Sequence, residues 1–187
     1  MKTLFIGGVK SGKSRLAEHY ILQYSNDVKP YYLATNECFD PEMQRRVEIH
    51  RERRQDAFVT IEEPLNLLDA LQRCDRPVLI ECITMWLNNA LFHERSEQTI
   101  LQELETVLAL PLDLVLIHNE VGFGVIPENR LARQFVDLSG KAAQLMGQHC
   151  DRVFFCSAGL MLTMKNETNP LEKTITWPRP APISSKS

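Results

Sequence analysis

Apolar residues in this chain fall into short runs bounded by turn-forming residues, and between them lie longer stretches with apolar positions at helical spacing. The short runs are Lys2–Ile6, Pro30–Thr35, Val78–Cys82, Leu112–His118 and Arg152–Ser157. Val78-Leu79-Ile80 and Leu114-Val115-Leu116-Ile117 show no polar alternation, which suits strands covered on both faces, as in a parallel sheet. The longer stretches predict helices over Lys13–Tyr24, Pro41–Arg54, Leu65–Arg73, Thr84–Phe92, Glu97–Leu108 and Pro127–Cys150. Ala57–Ile61 reads either as one more short strand or as a connection. Strands that alternate with helices predict an α/β fold, three layers thick, around a mostly parallel central sheet. No internal repeat interrupts this alternation. Asn166–Ser187 carries four prolines, little apolar content and a Ser-Ser-Lys-Ser end, so it is expected to be a mobile tail behind a body spanning residues 1–165.

Composition narrows the setting. A chain of 187 residues suits one domain with a sizeable core. The net charge of −3 supplies no broad basic field to recruit nucleic acid or an anionic membrane. The cysteines Cys38, Cys74, Cys82, Cys150 and Cys156 are odd in number and lack metal-ligand spacing, which argues against a disulfide framework or a zinc site and for a reducing, cytoplasmic setting. No apolar run reaches the length of a transmembrane helix, and the N-terminal strand runs straight into glycines and lysines, unlike a cleavable signal.

The chemistry begins where the first run ends. Gly7-Gly8-Val9-Lys10-Ser11-Gly12-Lys13-Ser14 matches the phosphate-binding loop GxxxxGK[ST] in full, with a strand before it and a helix after it. Glycines let the backbone curl so that successive N–H groups point at phosphate oxygens, and the following helix adds its positive end. Lys13 reaches the β- and γ-phosphates, and the Ser14 hydroxyl is a ligand for Mg²⁺. The fold is therefore expected to be of the P-loop NTPase type. Such a loop needs a carboxylate for the metal at the end of another core strand. Glu81, at the end of Val78-Leu79-Ile80, is the first candidate, and Glu120 after His118-Asn119 is the second. Either carboxylate equally suits a helix cap. The Asn-Lys-x-Asp sequence of regulatory GTPases is absent, as is a protein-kinase catalytic loop.

A second feature is His50, set among Arg45, Arg46, Arg51, Arg53 and Arg54. One reading is a solvated helix laced with ion pairs such as Glu42 with Arg46. The other is an imidazole nucleophile beside guanidiniums whose forks match phosphate oxygens. An imidazole with the ordinary pKa near ~6.5 is largely neutral at pH 7 and attacks phosphorus without a separate base. Periodicity alone does not choose between the two. His118, near a strand end, faces either the site or the core. His19, His93 and His149 read as surface or boundary residues.

Several segments together resemble one family. They are the Gly7–Ser14 loop, Tyr32-Leu33-Ala34-Thr35, Glu42-Met43 with Arg46-Val47 and His50, and Thr60 with Glu62. Leu79–Asn89, Asn119–Pro127, then Arg133, Phe135, Asp137 and Gly140, and the Gly159–Lys165 ending complete the set. In this order they are similar to the bifunctional adenosylcobinamide kinase / adenosylcobinamide-phosphate guanylyltransferase family of cobalamin synthesis, over Met1 to about Lys165. The resemblance implies two reactions. A nucleoside triphosphate, ATP or GTP, phosphorylates adenosylcobinamide. GTP then donates GMP to that phosphate through a guanylylated histidine, the position of His50. It further implies nucleotide contacts from Leu33, Ala34, Thr35, Arg51, Glu52, Arg53, Arg54, Glu62 and Glu81, a Mg²⁺ site on Ser14 and Glu81, and a homo-oligomer, with a trimer as the expected form. Val136 and Ala143 depart from the family's usual arginine and asparagine, and Val9-Lys10 replaces the more usual Ala-Arg; the first two bear on the corrinoid side or the oligomer contact.

Two other functions fit the phosphate loop alone. One is a P-loop kinase for another small hydroxyl substrate, with no histidine intermediate. The other is a nucleotide-binding module without turnover. Covalent labelling from GTP radioactive at the α-phosphate separates the first from the family reading, and a corrinoid phosphorylation assay separates the second.

Overall fold

A computed structural model describes residues 1–25, 28–37 and 55–167. Seven strands form one sheet in the order β3-β2-β4-β5-β1-β6-β7. They are β1 (Lys2–Gly7), β2 (Tyr31–Ala34), β3 (Val59–Glu62), β4 (Val78–Ile80), β5 (Leu114–Asn119), β6 (Arg152–Ser157) and β7 (Leu160–Asn166). The first six run parallel, and β7 pairs antiparallel with β6. The described α-helices are α1 (Lys13–Tyr24), α2 (Leu67–Leu71), α3 (Ile83–Phe92), α4 (Glu97–Ala109) and α5 (Arg130–His149).

The period-2 geometry of the strands explains how unbroken apolar runs are used. Leu4, Ile6, Leu33, Val78, Ile80, Leu114 and Leu116 point to one face, where they pack on Ile83, Trp86 and Leu87 of α3, Ile100 and Leu104 of α4, and Leu138, Ala142 and Met146 of α5. Phe5, Tyr32, Leu79, Val115, Ile117 and Phe154 point to the other face, against Ala17 and Ile21 of α1 and against Phe58. Val78–Ile80 and Leu114–Ile117, covered on both faces, thus need apolar residues at every position. The expected α/β architecture with a mostly parallel sheet, covered on both faces, is what the chain adopts.

Element ends shift where local hydrogen bonds compete with the helix or ladder. The helix expected from Pro127 starts at Arg130, because the Asn129 side chain accepts from the N–H groups of Leu131 (2.8 Å) and Ala132 (3.2 Å) and so caps the helix there. The helix expected over Leu65–Arg73 shrinks to Leu67–Leu71, since the Glu63 carboxylate accepts from Leu65 N–H and Asn66 N–H and holds those residues in a turn. The strand expected from Leu112 begins at Leu114, after a tight turn in which Leu112 N–H donates to the Leu110 carbonyl at 2.8 Å. The run Val78–Cys82 is strand only to Ile80; Cys82 caps α3, its thiol accepting from Met85 N–H at 3.3 Å. Ala57–Ile61 resolves into a 3-10 turn, Gln55–Ala57, followed by β3. The sequence pattern missed β7. It extends through Asn166, the first residue assigned above to the tail, and Glu167 N–H donates to the Asp151 carbonyl at 2.9 Å. The expected helix Pro41–Arg54 lies outside the described residues, as does the chain from 168 onward.

Candidate functional site

Parallel strands end at one edge of the sheet, and the registers bring the chemistry there. Gly7 pairs with Asn119 on one side and Cys156 on the other, Ala34 pairs with Glu62, and Leu33 pairs with Ile80. The Gly8–Ser14 loop, Thr35, Glu62, Glu81 and Glu120 therefore line the carboxyl edge, where ligands of open α/β sheets bind.

The loop itself has the backbone its sequence calls for. Lys10 (φ 57°) and Gly12 (φ 94°) adopt left-handed conformations on either side of Ser11, and such alternation turns successive N–H groups toward one concave side. Gly12 is also the N-cap of α1 and supplies no side-chain cap, so the helix's first N–H groups keep their capacity for an anion. Lys13 is buried, and its ammonium donates to the Gly8 carbonyl at 3.0 Å, across the mouth of the loop. Burial lowers its pKa from the ordinary lysine value, while the nearby Cys82 and Cys156 thiols act in the opposite direction. Ser14 stands in the first turn of α1, half-buried. Val9 and Lys10, which replace the more usual residues, are exposed.

The other expected contact residues divide. Leu33 is fully buried in the core, and its carbonyl accepts from Glu81 N–H at 3.0 Å. Thr35 is likewise buried; its hydroxyl donates to the Cys82 carbonyl at 2.8 Å and its own carbonyl accepts from the Asn89 amide at 2.7 Å. These two brace the edge from below. Ala34 and Glu81 are half-buried at the strand ends, and Glu62 is exposed at the end of β3. Glu120 is half-buried too, and its carboxylate accepts from Gly122 N–H at 2.6 Å. Glu81 and Ser14 together offer hard oxygen donors of the kind Mg²⁺ takes alongside substrate phosphates. Among the described residues no group of three or more His, Cys, Asp or Glu could hold a metal ion without such help. His50, Arg51, Glu52, Arg53 and Arg54 lie outside the described residues.

His118 belongs to the core. It is 1% exposed, with Nδ1 3.1 Å from the Thr84 hydroxyl and Nε2 3.1 Å from the Ser139 hydroxyl, so one ring joins β5 to α3 and α5. Thr84 Oγ1 also accepts from Asn119 N–H at 2.7 Å. Burial pushes the imidazole down to about pKa 4, with the Lys13 charge acting in the same direction and the Ser139 hydrogen bond against it. A ring with both nitrogens engaged is a structural member rather than a nucleophile. Sequence reasoning did not single out Thr84, Ser139 or the Cys82 cap, because a lone hydroxyl or thiol at an element end or on a helix face carries no distinctive spacing. His19, His93 and His149 are exposed, as expected.

The His118 environment makes a pH prediction. Its folded pKa lies below the ordinary 6.5, so between pH 6.5 and about 4 the unfolded chain binds a proton that the folded chain does not. Stability is therefore lost as pH falls through that window, by on the order of 3 kcal/mol from this residue. The urea midpoint of the wild-type protein is expected to drop further between pH 7 and pH 4.5 than that of His118→Gln, in which the other titrating groups are unchanged. Equal drops would refute the assignment.

Residues 3–164 match the family described as cobinamide kinase / cobinamide phosphate guanyltransferase. The chain is 39% identical over 174 residues to the bifunctional adenosylcobalamin biosynthesis protein CobP of Pseudomonas aeruginosa, covering 89% of this chain and 99% of that one. It is 33% identical over 184 residues to the bifunctional adenosylcobalamin biosynthesis protein CobU of Escherichia coli, covering 88% and 100%. Among solved structures it is similar to a KaiC-like protein from Pyrococcus horikoshii, at a TM-score of 0.48 and 16% identity over 82% of this chain and 69% of that one.

Proposed function

The chain belongs to the cobinamide kinase / cobinamide phosphate guanyltransferase family, and from that premise we propose how its residues divide the two reactions. It is a bifunctional enzyme of adenosylcobalamin biosynthesis. In our reading the Gly7–Ser14 loop holds the triphosphate of ATP or GTP for both steps. Lys13 neutralises the β- and γ-phosphates, and Ser14 with Glu81 holds Mg²⁺, which supplies charge neutralisation on the phosphate oxygens when bound. The kinase step transfers the γ-phosphoryl group to the hydroxyl of adenosylcobinamide. The guanylyl step forms a bond between the His50 imidazole and the α-phosphorus of GTP and releases pyrophosphate. The phosphate of adenosylcobinamide-phosphate then takes the GMP group, leaving the imidazole free and giving adenosylcobinamide-GDP. Ala34, Glu62, Arg51, Glu52, Arg53 and Arg54 hold the nucleotide, Leu33 and Thr35 acting through the edge they brace.

The observation that carries this reading is the convergence of the loop, the buried Lys13 and Glu81 on one sheet edge in a chain of this family. Intact mass after incubation with GTP and Mg²⁺ tests it: the expected product is protein heavier by one guanylyl group, lost in acid and kept in base, as a phosphoramidate is. An unchanged mass would overturn the histidine intermediate.

The same reading includes a cytoplasmic homo-oligomer, a trimer by resemblance. Phe123, Val125 and Ile126 are exposed, as are Leu160, Leu162 and Met164 on β7, and they supply apolar surface for such contacts. Sedimentation equilibrium decides it, a monomer at micromolar concentration being the contrary result. Among the described residues no helix is long and apolar enough to cross a membrane.

A further inference from the structure

The β6–β7 hairpin ends on the phosphate loop. Ser157 pairs with Leu160, so Ala158 and Gly159 form a two-residue turn, and both have positive φ, 53° and 77°. That is the type I′ turn, whose twist matches the flanking strands. Gly159 N–H donates to the Ser11 carbonyl at 2.9 Å. The two backbones approach so closely that a Cβ on Gly12 would lie 3.0 Å from the Gly159 Cα. The far end of the hairpin is tied down as well. The ammonium of Lys165, itself buried, donates to the carbonyls of Gly147 (3.2 Å) and Gln148 (3.0 Å) at the end of α5 and pairs with Glu167 at 2.9 Å.

A trans peptide is planar, with its C=O and N–H pointing in opposite directions. Whatever fixes the Ser11 carbonyl therefore fixes the Gly12 N–H, on the far side of the same peptide plane. We propose that Gly159 is a positioning residue for both transfer reactions: its N–H holds the Ser11–Gly12 peptide so that the Gly12 N–H faces the triphosphate. An unanchored peptide here would rotate freely between glycine-like conformations, and phosphate binding would have to order it each time. The anchored peptide presents its donor in advance, which is the condition for strong electrostatic stabilisation. The sequence around Gly159 carries no phosphate motif; only the fold brings it to the loop.

This inference rests on the loop being the triphosphate site, and the test separates the two. Gly159→Val places a β-branched residue at positive φ, which forces the turn to move its N–H; Gly159→Asn tolerates that φ and keeps the N–H in place. Affinities for GTP and for inorganic tripolyphosphate are measured on the wild-type chain and both variants, with thermal melts of the free proteins alongside. Gly159→Val is expected to weaken both ligands about tenfold or more, the scale of one charge-assisted hydrogen bond, with Gly159→Asn close to wild type. Equal affinities in all three proteins, or a Val variant that melts earlier yet binds as tightly, overturn the proposal. A loss confined to GTP, sparing tripolyphosphate, also overturns it, because it moves the effect to the base or ribose. Failure of the wild-type chain to bind either ligand removes the loop reading itself. Should Gly159→Val not fold, amide hydrogen exchange in the wild-type protein decides. A protected Gly159 N–H in the free and GTP-bound states supports the anchor, and exchange at the rate of an open turn overturns it.

Discussion

Lys13→Ala is expected to remove both transfer activities while leaving the fold in place. The ammonium lies at the mouth of the loop, 3.0 Å from the Gly8 carbonyl, on a lysine that is largely buried. Charge-assisted hydrogen bonds to phosphate are worth roughly 1.5–3 kcal/mol each in binding, and a preorganised charge on the transferring phosphate contributes a further factor of about 10²–10³ in the transition state. Together these predict a fall in kcat/KM of about 10³ or more for adenosylcobinamide phosphorylation. Covalent labelling from α-labelled GTP is expected to fall with it if, as proposed above, one loop serves both steps. Burial disfavours the charged lysine, so its loss relieves a desolvation cost and the melting temperature of the free protein should hold. Either activity persisting near the wild-type level would refute a shared site.

The phosphate loop was legible because its requirements are local. Gly7 to Ser14 must combine left-handed conformations, open N–H groups and one lysine within a single turn, and few residue types satisfy this. The sheet was legible for a related reason: strands covered on both faces need apolar residues at every position, and Val78–Ile80 and Leu114–Ile117 have them. The α1 bounds, Lys13–Tyr24, were read directly because the loop fixes the start. β7 was illegible because Leu160 to Met164 are all exposed, so their apolar character does not report a core and their pairing with β6 depends on a turn at Ala158-Gly159. His118 was ambiguous for the opposite reason. Its partners Thr84 and Ser139 lie 34 and 21 residues away, a juxtaposition that only the packed fold creates. Leu33 and Thr35 stood out by resemblance as nucleotide contacts; what the fold adds is that both side chains are buried beneath that edge, Thr35 bonded to the Cys82 carbonyl.

His50→Ala is expected to abolish guanylyl transfer and to spare most of the kinase reaction. The difference follows from which phosphorus each step attacks. In the kinase step the substrate hydroxyl attacks the γ-phosphorus directly. No enzyme nucleophile is required, and the loop with Lys13 supplies the stabilisation. In the guanylyl step the enzyme must hold GMP while pyrophosphate leaves and the phosphorylated corrinoid takes its place. A phosphoramidate on the imidazole does so by dividing one difficult displacement into two. Alanine offers no nucleophile, and water in its place would hydrolyse GTP without conserving the GMP group. Of the remaining histidines, His118 is held on both ring nitrogens within the core, and His19, His93 and His149 are exposed, so none of them is expected to substitute. The neighbouring Arg45, Arg46, Arg51, Arg53 and Arg54 remain in the variant, and nucleotide binding should survive in weakened form. Phosphate transfer to adenosylcobinamide and covalent label from α-labelled GTP, measured on one preparation, decide the matter. Label retained on another residue removes His50 from the mechanism. Loss of the kinase reaction together with the label would mean that the segment carrying His50 also shapes the triphosphate site, and the division of roles proposed above would fall.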